Sequence, residues 1–460
     1  MAIPSIGNKR VTMFEDVLAE VPDYKTFCTV DDLDASSEEL ARKYPQKVKL
    51  FRIGGSRRGE DIRALKIGGG RKTALLFGFP HPDEPVGSMM LEYLSWRLCE
   101  DKTLDKLDYT WYIVKCADPD GTRLNEGWFK GPFTPLNLAL SDYYPPFHQS
   151  VEWTFPVKYK TLVWNKPMPE TRALMRIIGE IKPRFMGSLH NSGFGGVYYF
   201  VTSACRPLYK RFYDLVSKQG LPLHLGEPEL PFMTKLAPAI FKADPISSFY
   251  EYWSRHTGED PARAIKSGAS SDEYAQKIAG TFTLTCETPF FTDPSIGDGS
   301  KSDVSRQDAL LEGARILEDC YQFMKKEYSA IEMSTRFREE RRTFIDRVES
   351  SIDDLRTQIQ AQKDWARTEP HLDERATVAE KFDSCVLQQL NAMAHLGWFH
   401  RCVKGTNNKK VERAVLAHIK ELNRVVERQL TYKVIPIRTL VRTQLGSVLL
   451  AADYIQKKSG

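Results

Sequence analysis

The sequence predicts an α/β domain built on a largely buried sheet and followed by an all-α region, and three observations carry that reading. Short apolar runs alternate with amphipathic stretches from about residue 47 to residue 291, the rhythm of strands buried between layers of helix. After about Ser302 the strand-like runs stop, and long charged segments of helical spacing continue to the end. The length of 460 residues exceeds what one hydrophobic core ordinarily serves, so more than one domain is expected. The divisions expected are an N-terminal extension over 1–30, the α/β domain over 31–328 and a helical bundle over 329–460.

The strands are predicted at 73–79, 110–116, 185–190, 197–202 and 281–286. Each is rich in β-branched or aromatic residues and stops near Gly, Pro, Asn or Asp. Helices follow at 85–99, 170–181 and 207–218, and 303–327 closes the domain. Beyond it, 335–367, 374–399, 408–430 and 437–456 read as four further helices. Turns are expected at Gly405-Thr406-Asn407 and Val434-Ile435-Pro436.

Composition narrows the function classes. A net charge of +5 is too mild to point to nucleic acid. The eight cysteines lie far apart, without zinc-knuckle or disulfide spacing, and read as reduced thiols of a cytoplasmic enzyme. Residues 1–10 lack the apolar core of a signal peptide, and no stretch of some twenty apolar residues predicts a membrane span. From Arg401 onward thirteen Lys and Arg face four Asp and Glu. This is either a solvated helical face or a docking surface for an acidic partner. The apolar seams 415–419 and 445–455 pack on each other or form a homo-oligomer.

The chemistry concentrates where strands end. The run from Ala74 passes through Phe79 and Pro80 to His81, with Glu84 three residues on. A tight turn after a buried strand can aim both side chains at one ion, offering a nitrogen and a carboxylate to zinc. His371 and Glu374 repeat the spacing after no strand, so spacing alone is weak. A catalytic zinc needs a third ligand and an open position. His190 supplies the third, at the end of a second strand and ahead of the glycine-rich Asn191–Gly196 segment. Glu287 ends a third β-prone run, and an ionised carboxylate there is costly unless paired or working. Beside activated water it serves as general base, then as acid.

These residues, in this order, resemble the zinc carboxypeptidase family of carboxypeptidase A type over roughly residues 30–325. Residues 37–45, the Gly54-Gly55-Ser56-Arg57-Arg58-Gly59 turn, His81-Pro82-Asp83-Glu84, Asp118-Pro119-Asp120-Gly121, Pro169-Glu170-Thr171-Arg172, His190 and Glu287 all follow that family's sequence of motifs. The resemblance implies an α/β/α sandwich around a mixed, mostly eight-stranded sheet. It also implies one zinc on His81, Glu84 and His190, and water-promoted amide hydrolysis with Glu287 moving the proton.

The sequence departs from that family in its substrate-holding residues. No Asn-Arg pair, which clamps a free C-terminal carboxylate, lies between Gly121 and Glu170. Phe129 stands where an arginine would follow Trp128, leaving Arg123 as the candidate oxyanion group and Lys130 as a further cation. With Lys158 and Lys160 they suit an anionic or γ-glutamyl-type peptide if they face the cleft. Asn191, Ser271 and Asp272 complete the expected substrate contacts, the last two hinting at a polar or cationic side chain. Two other readings compete: an N-acyl amino acid deacylase of the aspartoacylase or succinylglutamate desuccinylase type, and a binding module in which the basic terminal helices do the work. The deacylases carry a β-rich C-terminal domain, whereas this chain predicts helices.

Overall fold

A computed structural model describes residues 14–256, 260–368 and 372–458. His371 and residues 1–13, the start of the N-terminal extension expected over 1–30, lie outside them.

A hairpin of β1 (Val48–Gly55) and β2 (Asp61–Ile67) opens the sheet after helix α1 (Val30–Lys43). There follow β3 (Lys72–Phe77), helix α2 (Val86–Glu100), β4 (Tyr109–Val114) and helices α3 (Pro119–Asn125) and α4 (Pro169–Ile181). The second half adds β5 (Phe185–Ser188), β6 (Tyr198–Val201), helix α5 (Arg206–Lys218), the short β7 (Lys235–Ala237) and β8 (Ile240–Lys242), helix α6 (Ser271–Ala279) and the long β9 (Phe282–Thr292). Their order across the sheet is β1-β2-β4-β3-β5-β9-β6-β8-β7. Asn191–Phe194 and Lys433–Val434 pair with the outer half of β9, making eleven strands of mixed direction. The sheet exceeds the expected eight through short strands: β7 and β8 form an edge hairpin, and Asn191–Phe194 and Lys433–Val434 extend only the far end of β9.

Alternate residues of β3 serve opposite faces, as a two-residue repeat requires. Ala74 and Leu76 join the core that holds α2 and α5, while Leu75 and Phe77 pack with α4 and α6 on the other side. The domain is thus three layers, with the predicted strands and helices at their expected places.

A second core joins α7 (Arg306–Ser329), α8 (Thr335–Thr368), α9 (Leu387–Val403) and α10 (Lys409–Gln429). The helix expected over 374–399 is broken at its start. Arg375–Thr377 pairs with Lys301–Ser305, one capped turn follows, and Phe382–Val386 forms a π turn. Asp383 in that turn reaches into the first domain, accepting from the backbone N–H of Glu227 at 2.8 Å beside His224 at 3.3 Å.

The last helix, α11 (Ile437–Lys458), differs from the expected grouping of 329–460. Its Leu445, Val448 and Leu449 lie in the core of the sheet, against β9, α2 and α5. Buried Gln444 donates through Nε2 to the carbonyl oxygens of His190 at 2.7 Å and Cys286 at 3.2 Å. An isolated reading of spacing predicts which face is buried, not what covers it. Among the described residues no helix is long and apolar enough to cross a membrane.

If α11 belongs to the sheet's core, Leu449→Ala should lower stability by about 2–5 kcal/mol. Gln444→Leu should cost about 1–3 kcal/mol by stranding two carbonyls. Urea unfolding measures both, and changes below about 0.5 kcal/mol would detach this helix from the core.

Candidate metal and catalytic site

The site begins with a strained turn. After β3, Gly78 donates to Val114 O and accepts from Ala117 N, both at 3.0 Å. Phe79 then adopts φ 51, a left-handed conformation costing a bulky residue about 1–3 kcal/mol. The surrounding packing holds it: its fully buried ring stacks on Phe129 with centroids 6.0 Å apart and planes 13° from parallel. The residue in the place of the family's arginine is therefore a support for the turn. The turn carries His81 and Glu84 to the sheet's edge, closed by Glu84 N–H donating to His81 O at 3.2 Å.

Helix α2 starts directly against the next strand. A Cβ on Gly87 would stand 2.5 Å from Leu189 Cβ and 2.8 Å from Leu189 O, so only glycine permits the approach. Val86 N–H donates to Asn191 Oδ1 at 3.1 Å, tying the helix start to the residue after His190.

Strand register does the rest. β3, β5 and β9 are adjacent and parallel, with Phe77 level with Ser188 and Ser188 level with Thr285. His190 and Glu287 each lie two residues beyond that rung, so both emerge at one edge beside the turn from β3. The ligating atoms of His81, Glu84 and His190 all lie within 4.8 Å of one another, and all three residues are buried.

Hydrogen bonding decides which histidine nitrogen faces the carboxylate. Ser188 Oγ donates to Glu152 Oε2 at 3.3 Å and, having one proton, accepts from His190 Nε2 at 2.9 Å. Nδ1 of the same ring then faces Glu84 Oε2 at 2.9 Å; that buried oxygen has no hydrogen-bond partner, and burial raises the Glu84 carboxyl well above the usual range. A nitrogen and a carboxyl oxygen facing each other out of water are a donor pair that a cation can bridge in place of a proton. Burial keeps the His81 pKa well below the imidazole range, leaving it neutral and able to ligate. Zinc bonds of about 2 Å separate tetrahedral ligands by roughly 3.3 Å, so small side-chain rotations suffice, and the set fits the ion.

Glu287 Oε1 lies 4.0 Å from His190 Nδ1. Burial holds its carboxyl well above the usual range, with the neighbouring Glu84 carboxylate adding to the rise. All four residues line one cavity of about 820 Å³. Tyr144 lines it too, its ring 4.9 Å from that of His81.

Of the expected substrate contacts, Asn191 and Asp272 line this cavity. Ser271 does not; its N–H and hydroxyl hold Glu152 Oε1 at 3.1 and 2.7 Å. Asp272 Oδ1 is buried without a hydrogen-bond partner, and burial raises its pKa to about 6. Burial, then Asp272, raises that of Glu152 to about 7.

The expected cations are corrected. Arg123 turns to Glu60 and Asp31 at 2.7 and 2.8 Å, Lys130 and Lys158 are exposed, and Lys160 pairs with Glu251. None of the four lines the cavity. Strand-end and turn positions pointed to the three residues that the fold brings together, whereas the partners of surface cations lie far away in sequence. Sequence reasoning missed Glu152, though an acid within the apolar run Val151–Phe155 was a signal. It also missed α8, whose Asp353, Asp354 and Gln358 form part of the cavity wall.

Residues 33–291 match the family described as "Zinc carboxypeptidase". Zinc carboxypeptidase A 1 of Anopheles gambiae is 28% identical over 126 residues, covering 24% of this chain and 29% of that protein. Among solved structures, carboxypeptidase A of Helicoverpa armigera is 15% identical with a TM-score of 0.36, covering 60% of this chain and 70% of its own. Bovine thrombin-activatable fibrinolysis inhibitor, in complex with tick carboxypeptidase inhibitor, is 12% identical with a TM-score of 0.35, covering 57% and 86%. The family match spans more than half of the sequence and contains His81, Glu84, His190 and Glu287: the chain belongs to the zinc carboxypeptidase family.

Proposed function

We propose that the protein hydrolyses an amide bond of a peptide carrying a cationic side chain, with zinc held by His81, Glu84 and His190 and with Glu287 as general base and acid. The observation that carries this is the meeting of the three buried donors with Glu287, 4.0 Å from His190, at one cavity. A zinc ion at this position supplies Lewis-acid polarisation of a carbonyl and makes nearby water acidic. Glu287, its carboxyl raised by burial, takes a proton from the attacking water and returns it to the departing amine. Ser188 and Glu152 fix the orientation of His190, the kind of outer support that ligating histidines rely on.

Charge supports the substrate class. Asp272 offers a buried, unpartnered carboxylate oxygen to the cavity, with Glu152 adding negative charge behind it. A substrate ammonium or guanidinium would bring the missing opposite charge and restore their ionisation. The four cations first expected to hold an anionic peptide face elsewhere, while Lys242, Arg263, Lys266 and Arg356 line other parts of the cavity. The helices after residue 329 act within this reading as a wall of the site, since α8 lines the cavity.

Metal analysis should find about one zinc per chain in the wild type and less than a tenth of that in His190→Ala; equal zinc in both would remove His190 from the site. Glu287→Gln should retain zinc while losing hydrolysis of a peptide library by roughly 10²–10⁴-fold, and unimpaired turnover would exclude it as the base. Asp272→Asn should reduce the preference for Lys over Leu in that library by about tenfold, the worth of one charge-assisted contact.

A further inference from the structure

A second chamber of about 500 Å³ adjoins the first, bounded by the outer end of the sheet, α8 and α9. Tyr144, Phe147, Asn191, Asp354 and Gln358 line both, so the two meet beside the metal ligands. The family match ends at residue 291, whereas Gln358, Gln388, Asn391 and His395 of this wall lie beyond it.

The polar groups of the chamber are mainly neutral. Asn391 Nδ2 donates to Gln358 Oε1 at 3.0 Å and Gln388 Oε1 at 3.4 Å, linking three amides along the wall. Among the described residues that line it, the one cation, Arg347, is offset by Asp354 at 2.8 Å and packs over Trp398. Asp83 and Asp142 also face in and oppose an anion. Among the described residues, four side chains more than nine-tenths buried have unused hydrogen-bonding atoms there: Asp142 Oδ1, Trp398 Nε1, His395 Nδ1 and Asn191 Nδ2, the last with its Oδ1 already taken by Val86. A native protein seldom leaves such atoms without a partner.

We infer that this chamber is a second substrate subsite, taking the uncharged peptide backbone on the side of the scissile bond opposite the residue held by Asp272. Amide side chains present donors and acceptors together, which matches a backbone peptide group; the rings of Tyr144 and Trp398 suit small apolar side chains beside it. The inference rests on the metal-site reading for where the bond lies, and its binding test does not require turnover.

The test titrates zinc-loaded Glu287→Gln protein calorimetrically with N-acetyl-dialanyl peptides ending in Lys, Leu or Glu, each against the free amino acid alone. The acetyl-dialanyl extension should tighten binding at least tenfold. In the background carrying Gln388→Leu and Asn391→Leu, and in Asn391→Leu alone, that gain should fall below twofold while affinity for the free amino acid stays within twofold. Circular dichroism and zinc content confirm that the variants are folded. No gain from the extension, no binding by any peptide, or the same gain in both variants would overturn the subsite. Loss of the preference for Lys with the extension gain intact would instead sink the cationic-substrate reading.

Discussion

The site depends on one constraint: the shared register of three neighbouring parallel strands. With Phe77, Ser188 and Thr285 on one rung, the residues just past it emerge together whatever their separation in sequence. A shift by one residue would turn each side chain to the opposite face, sending His190 and Glu287 into the layers of helix. Burial on both faces makes such a shift expensive, so the core that stabilises the fold also sets the geometry of the chemistry.

Around that register the protein tolerates local costs. Phe79 holds a left-handed backbone, and Glu84, Glu152, Asp272 and Glu287 cluster out of water. Two of these costs are offset by specific neighbours: a stacked ring for Phe79 and paired serines for Glu152. Glu84 and His190, with His81, form a group whose donor atoms could hold a metal ion. This concentration of buried carboxyl groups is what separates the cavity from an ordinary polar cleft.

Much of this was legible in the sequence because strand ends are marked locally. Apolar runs ending in His81, His190 and Glu287 carried their own boundaries, and the three candidate ligands converge in space. Arg123 was not legible in the same way, since its choice of Glu60 and Asp31 depends on the β1–β2 hairpin folding beside α3. Nor was the contribution of α8: helical spacing reveals an apolar stripe, but Asp353, Asp354 and Gln358 sit on a side whose meaning comes only from what lies opposite. The π turn at Phe382–Val386 breaks an otherwise continuous helical pattern because Asp383 is held by the first domain.

Helix α11 has a further consequence, for the order in which the molecule can be assembled during synthesis. Its apolar face completes the core over β9, α2 and α5, and Gln444 secures the backbone at the metal edge. On the ribosome, that face of the sheet must wait uncovered while α7 to α10 are made. Those intervening helices possess a core of their own and can collapse first. The backbone at His190 and Cys286 therefore gains its contact with Gln444 only when this distant segment returns to cover the strands made first.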